Sequence, residues 1–275
     1  MKKILFVSLF LSSALFANTS EIRELNFRQI QSCYKGVNFY NSWMAVGKNQ
    51  TTIFIKNMKT KKEQFLSLND GYRDFIINDN FIYILSREKI DIYNLKEELY
   101  TDAISLENSK RSWPSSLYVK EDKLFVSSDK DGVRIYDISS LEMIDEIRPT
   151  GNVNSVFIND NIGYIYADTA GISGGMILSA VYLFNPSTNK IIHRTFINGA
   201  PAGGLFVNKK NVFLGESFHW QIRKKKIHKK KYIGRYKSVY IPRPQYAMGR
   251  AYRDDKNLFF CNSKASVIQR RNIER

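Results

Sequence analysis

Three histidines, His193, His219 and His228, are the first residues to weigh for chemistry. No two stand at the three- or four-residue spacing that puts a pair of ligands on one metal. His228 lies inside the run Arg223-Lys224-Lys225-Lys226-Ile227-His228-Lys229-Lys230-Lys231, which holds seven formal positive charges in nine residues. Like charge of that density disfavours a bound cation. Gly171-Ile172-Ser173-Gly174-Gly175 is glycine-rich but lacks the spacing of a nucleophile elbow, a phosphate loop or a dinucleotide turn. It reads as a flexible loop. These residues therefore offer no catalytic constellation, no metal site and no cofactor. Two cysteines, Cys33 and Cys261, stand near opposite ends of the chain. In an oxidising compartment they either pair or persist as two unpaired thiols.

The elements that would position any site come in repeats. Phe75-Ile76-Ile77 leads through Asn78-Asp79-Asn80 to Phe81-Ile82-Tyr83-Ile84. The same order of strand, polar turn and strand recurs with turns beginning at 120, 159 and 208, and more weakly at 253, in steps of 42, 39, 49 and 45 residues. A third alternating strand follows in each unit and usually ends in Asn or Asp, as in Ile90-Asp91-Ile92-Tyr93-Asn94 and Val133-Arg134-Ile135-Tyr136-Asp137. That terminal side chain can bond the backbone ahead and fix a turn. A fourth strand closes most units, for example Met143-Ile144-Asp145-Glu146-Ile147. Four short strands per 40–50 residues, with no helical period, is the pattern of a β-propeller.

The chain resembles bacterial exported β-propellers with YVTN-type or quinoprotein-like repeats. Its Ile-Tyr-Asn and Ile-Tyr-Asp strand ends are similar to the Trp-Asp ends of WD repeats. The expected architecture is all-β: six blades of four antiparallel strands, near 33–68, 69–106, 112–149, 152–198, 201–235 and 246–275. The stretch 236–245 is too short for a seventh. The last unit stops after its third strand, so residues 21–31 are expected to supply the missing strand and close the ring. Closure removes an exposed sheet edge. It would also bring Cys33 towards Cys261, where a disulfide spanning over 200 residues would contribute roughly 4–5 kcal/mol in the chain-entropy model.

Propeller geometry sorts loops between two faces. The connections between units share one face with the turns joining second to third strands. The insert Asp168–Ser179 falls there, as do Arg111 and Trp113, and Tyr240, Arg243, Gln245 and Tyr246. Aromatics and arginines are typical of protein-binding hot spots, so this is the expected partner face. Residues at the entries of the first strands would ring a central channel: Arg73, Asp74, Asn154 and Arg250 are the candidates. Some six-bladed propellers are metal-dependent lactonases or hydrolases at that position. Asp74 is the one carboxylate here, where a divalent cation wants several oxygen ligands. The basic run is expected at the turn between the third and fourth strands of unit five, as a solvated hairpin or a contact for acidic protein or anionic headgroups.

Met1-Lys2-Lys3, the apolar stretch Ile4–Phe16 and the small residue Ala17 have the three parts of a secretory signal. A run of thirteen residues, broken by Ser8, Ser12 and Ser13, falls short of the ~20 a spanning helix needs. The expected product is residues 18–275, a single propeller domain in the periplasm or beyond. The formal charge of +16 suggests an anionic partner, although A/T-rich codon usage would also enrich lysine. That compartment makes nucleic acid an unsuitable partner. The expectation is a monomeric, non-enzymatic scaffold or accessory factor for another periplasmic protein, a respiratory enzyme being one example. A channel enzyme or small-ligand binder is the alternative.

Overall fold

A computed structural model describes residues 27–32, 35–106, 112–159, 161–169, 178–198, 205–208, 211–214, 218–223, 226–232, 252–253, 257–261 and 266–271. Its side chains are described over 38–106, 112–158, 161–168 and 180–196. The described chain is all strand and turn. It opens with β1 (Phe27–Ser32). A first sheet follows with β2 (Lys35–Tyr40), β3 (Trp43–Gly47), β4 (Thr52–Asn57) and β5 (Glu63–Ser67). The second has β6 (Asp74–Asn78), β7 (Phe81–Leu85), β8 (Lys89–Asn94) and β9 (Leu99–Ser105). The third has β10 (Pro114–Lys120), β11 (Lys123–Ser128), β12 (Gly132–Asp137) and β13 (Met143–Ile147). The fourth has β14 (Asn152–Asn159), β15 (Ile162–Thr169), β16 (Leu178–Asn185) and β17 (Lys190–Asn198). The fifth has β18 (Leu205–Asn208), β19 (Asn211–Leu214), β20 (Phe218–Arg223) and β21 (Lys226–Tyr232). Three late strands, β22 (Tyr252–Arg253), β23 (Asn257–Cys261) and β24 (Ser266–Arg271), form a sheet with β1 at its edge.

Each described sheet has four antiparallel strands. β1 pairs with β24 from Phe27 opposite Arg270 to Ser32 opposite Ser266. The described part of this strand overlaps the expected closing segment 21–31, and residues 1–26, including the signal-like segment, lie outside the described residues. Cys33 lies outside them too, and so does its pairing with Cys261. First strands of successive sheets lie side by side: β2 with β6, β6 with β10, β10 with β14 and β14 with β18. β22 and β23 lie against β2.

Alternation within the strands explains the packing. Ile82 and Ile84 of β7 enter a core shared with Ile53 and Ile55 of the first sheet. Tyr83 and Leu85, one residue out of phase, enter a core shared with Leu124 and Val126 of the third. A third core joins Phe125 and Ile135 to Ile165 and Tyr182 of the fourth. Each middle sheet therefore buries both faces, which is why Phe81–Leu85 reads as a continuous apolar run instead of an alternating one. Burying each Ile or Leu is worth ~1.5–3 kcal/mol relative to leaving it exposed.

Polar ties cross the same joints. Two residues before its turn, Asn38 accepts a 2.8 Å hydrogen bond from the Ile77 amide of the next sheet. Tyr118, at the matching position, donates to the Ile158 carbonyl at 2.6 Å.

Strand ends in Asn and Asp do what their chemistry suggests. Asn57 Oδ1 accepts from the amides of Lys59 and Thr60, both at 3.0 Å. Asn94 caps Lys96 and Glu97 at 2.9 and 3.1 Å, and Asp137 caps Ser139 and Ser140 at 2.9 and 2.8 Å. Asn185 caps Ser187 at 2.9 Å. Four residues after each cap the backbone turns left-handed, with φ of 66° at Lys61, 59° at Glu98, 62° at Leu141 and 54° at Asn189. A side chain in that region costs roughly 1–2 kcal/mol, most for a β-branched one. Lys61→Gly should therefore be at least as stable as the parent, with Lys61→Val about 1 kcal/mol below the glycine variant. Chemical denaturation checks this, and equal midpoints for the two variants would refute it.

Two regions expected to be loops or turns are reached by strands. In the fourth unit β15 and β16 stay paired into both ends of the expected insert, out to Thr169 opposite Leu178, and residues 170–177 lie outside the described residues. The basic run is mostly strand. Arg223 ends β20, Lys226 opposes it, and Lys229, Lys230 and Lys231 continue along the outermost strand β21. Lys224 and Lys225 lie outside the described residues. The run thus spans the expected hairpin between the third and fourth strands of unit five.

Candidate functional site

Trp113 stands just before β10 and is 46% exposed, large for an indole. Its main chain is fixed. The amide donates to Asp129 Oδ1 at 2.6 Å, and its carbonyl accepts from the Asp129 amide at 3.1 Å. The same Oδ1 accepts from Ser112 Oγ and from the Lys130 amide, each at 2.8 Å. Ser112 Oγ in turn accepts from the Lys130 and Asp131 amides at 3.2 Å. Asp129's carbonyl takes the Val153 amide of the fourth sheet at 2.9 Å. Asp129 thus binds the connection before β10 to the turn after β11 through its carboxylate, and anchors both to the next sheet through its carbonyl. The indole sits on a rigid mount.

Two arginines meet that indole. Arg73, just before β6, and Arg87, in the turn between β7 and β8, each place the guanidinium carbon 4.5 Å from the ring centroid. Arg73 is held by its amide, which donates to the Leu85 carbonyl at 2.7 Å. Burial and the neighbouring Arg87 charge lower its pKa, against a smaller opposite pull from Asp129. Neither guanidinium forms an ion pair among the described residues. Cation–π contact contributes about 0.5–1 kcal/mol per arginine at such an exposed place. The three side chains come from the second and third sheets on the face shared by unit connections and the turns after second strands.

The sequence placed Trp113 on a partner face and Arg73 in the channel; the structure joins them. Arg87 was missed, because an arginine in a short turn carries no signal until its neighbour across the joint is known. Asp74 and Asn154 have gone to other partners. Asp74 Oδ2 accepts from the Leu117 amide of the third sheet at 2.7 Å, and Oδ1 from the Phe75 amide at 2.9 Å. Asn154 donates to Asp168 Oδ2 at 2.6 Å, while Tyr166 donates to Asp168 Oδ1 at 2.8 Å. Arg250, Arg111, Tyr240, Arg243, Gln245 and Tyr246 lie outside the described residues. Of the histidines, His193 pairs its Nε2 with Thr195 Oγ1 at 2.9 Å. Among the described residues no group of three or more His, Cys, Asp or Glu is placed to hold a metal ion.

Neither family models nor curated proteins match this chain. Solved structures do. The WD40 repeats of RRP9 align with a TM-score of 0.58 at 13% identity, over 86% of this chain and 79% of theirs. BamB from Moraxella catarrhalis aligns with a TM-score of 0.51 at 9% identity, over 86% of this chain and 85% of its own. The fold is a β-propeller. A chain in the mitotic checkpoint complex is similar to the same degree, with a TM-score of 0.50 at 11% identity, over 90% of this chain and 91% of its own. Identities this low carry the fold and no function, since propellers host many unrelated activities.

Proposed function

We propose that this chain is a non-enzymatic, exported six-bladed propeller that binds another protein, as a scaffold or accessory factor for a periplasmic complex. The observation that carries the reading is the Arg73–Trp113–Arg87 cluster. Tryptophan and arginine are the residues most enriched where binding energy concentrates at interfaces. Here Trp113 and Arg87 are exposed and Arg73 half-buried, on bonded loops gathered from two sheets. The engagement of Asp74 and Asn154 by the protein's own groups favours a structural role for them over catalysis in the channel. The six four-stranded sheets among the described residues, with β1 at the edge of the last, support a reading of six blades. The signal-like N-terminus supports export, and the basic run on β21 suits an anionic membrane surface as a secondary contact.

The test is a pull-down from a periplasmic extract with wild-type protein and Trp113→Ala. A partner recovered by the first should fall at least tenfold with the second, a loss of ~1.4 kcal/mol or more. Equal recovery by both proteins would refute the reading.

A further inference from the structure

We propose that the Arg73–Trp113–Arg87 cluster recognises an acidic peptide segment of its partner. An Asp or Glu carboxylate would be taken by the two guanidiniums, and its chain would lie along the indole. This rests on the reading of this face as a protein-binding surface and names the partner's chemistry.

The cluster concentrates charge that the described residues leave unpaired. Some cations find a carboxylate: Arg134 lies 3.0 Å from Asp131, Arg148 2.8 Å from Glu146, and Lys89 2.7 Å from Asp91. Among the described residues Arg73 and Arg87 have no such ion pair, and they converge on one ring. Each guanidinium carbon being 4.5 Å from the centroid, the two lie no more than 9 Å apart (twice 4.5). Two like charges at that separation repel, and contact with the indole offsets part of the cost. Asp129 exerts only a minor opposing pull on Arg73, its Oδ1 being engaged by the Trp113 amide, Ser112 and the Lys130 amide. A carboxylate from outside would satisfy both guanidiniums at once, and planar guanidinium forks are shaped for that group.

Other anions fit less well. A nucleic-acid backbone asks for a track of cations at phosphate spacing. Here two arginines meet at a single indole, which makes one point of positive charge and no track. A peptide presents isolated carboxylates together with apolar or backbone surface for the indole.

The experiment uses the full purified chain and two capped synthetic octapeptides, acetyl-(Gly-Glu)4-amide and acetyl-(Gly-Gln)4-amide. Inorganic phosphate and free glutamate serve as simple-anion competitors. Binding is read by fluorescent-peptide anisotropy and by tryptophan emission, with Trp113→Phe as the emission control. The expected result is at least tenfold tighter binding of the Glu peptide, lost in the Arg73→Gln/Arg87→Gln double variant. Phosphate and glutamate should compete only at concentrations far above the peptide's. Melting curves of the variant show whether it folds. If it does not, the Glu–Gln comparison on the wild-type chain decides. Equal affinity for the two peptides, or competition by phosphate at peptide-like concentration, overturns the proposal. If no Glu preference is found while partner capture still depends on Trp113, acidic recognition fails and the protein-binding reading stands. If capture does not depend on Trp113, the reading itself fails.

Discussion

Gly163→Leu is expected to destabilise the protein by about 3 kcal/mol and lower its melting temperature by roughly 6–12 °C. The substitution looks harmless from the repeats. At the matching position the second sheet has Ile82 opposite Tyr93, and the third has Leu124 opposite Tyr136. The fourth has Gly163 opposite Phe184. In the second sheet the Tyr93 hydroxyl reaches Gln64 of the first at 3.2 Å. Phe184 has no hydroxyl to place, and its fully buried ring closes over the glycine. A Cβ on residue 163 would meet three ring carbons at 2.1, 2.1 and 2.5 Å. The phenyl group would have to move into a core that also holds Phe125, 6.2 Å away ring to ring. Overpacking of that kind typically costs about 1–3 kcal/mol, and a leucine stands at the upper end. Phe184→Val alone should also destabilise, by leaving a cavity. The pair Gly163→Leu/Phe184→Val should be more stable than the sum of the single effects predicts, by about 1–3 kcal/mol of coupling. Additive losses in a double-mutant cycle would show that the two residues do not share one space.

Removing residues 27–32 should have the second large effect. β24 would lose its partner from Arg270 to Ser266 and become an open edge. Unpaired edges template association between molecules. We expect the shortened chain to aggregate, or to melt ~10 °C or more below the parent, since the edge ladder and the packing behind it go together. A synthetic peptide of residues 27–32 with short flanks, added in trans, should restore part of the loss by strand addition. A deleted chain with parental melting and solubility would refute the role assigned to β1.

The fold was largely legible in the sequence because its strands are written in a short code. Apolar pairs around Asn78-Asp79-Asn80 and their copies mark first and second strands, and terminal Asn57, Asn94, Asp137 and Asn185 mark the third-strand turns. These signals are local: each residue acts on backbone within four positions of itself. What escaped was set by neighbours far along the chain. Gly163 reads as a weak strand residue until Phe184 is placed opposite. Arg87 reads as ordinary turn charge until Trp113, from the next sheet, comes under it. Asp74 reads as a channel carboxylate until the Leu117 amide arrives 43 positions later. The extent of β15 and β16 escaped for another reason. Gly171 to Gly175 signals a loop, yet Asp168 opposite Ser179 and Thr169 opposite Leu178 continue the ladder up to it.

The sheet that joins β1 to β24 also sets an order of events. Its hydrogen-bonded ladder needs Phe27 and Arg270 at once, and these are among the most widely separated positions in the described chain. The other sheets draw their strands from contiguous sequence and can form as the polypeptide lengthens. Contacts of such long sequence separation form late, because the intervening chain must be ordered before they repay its lost freedom. A nascent chain therefore carries an open seam until its last strand has been made. That seam acts as a check on completeness: a polypeptide truncated anywhere before β24 leaves β1 unpaired and presents an edge by which quality-control proteins can recognise it.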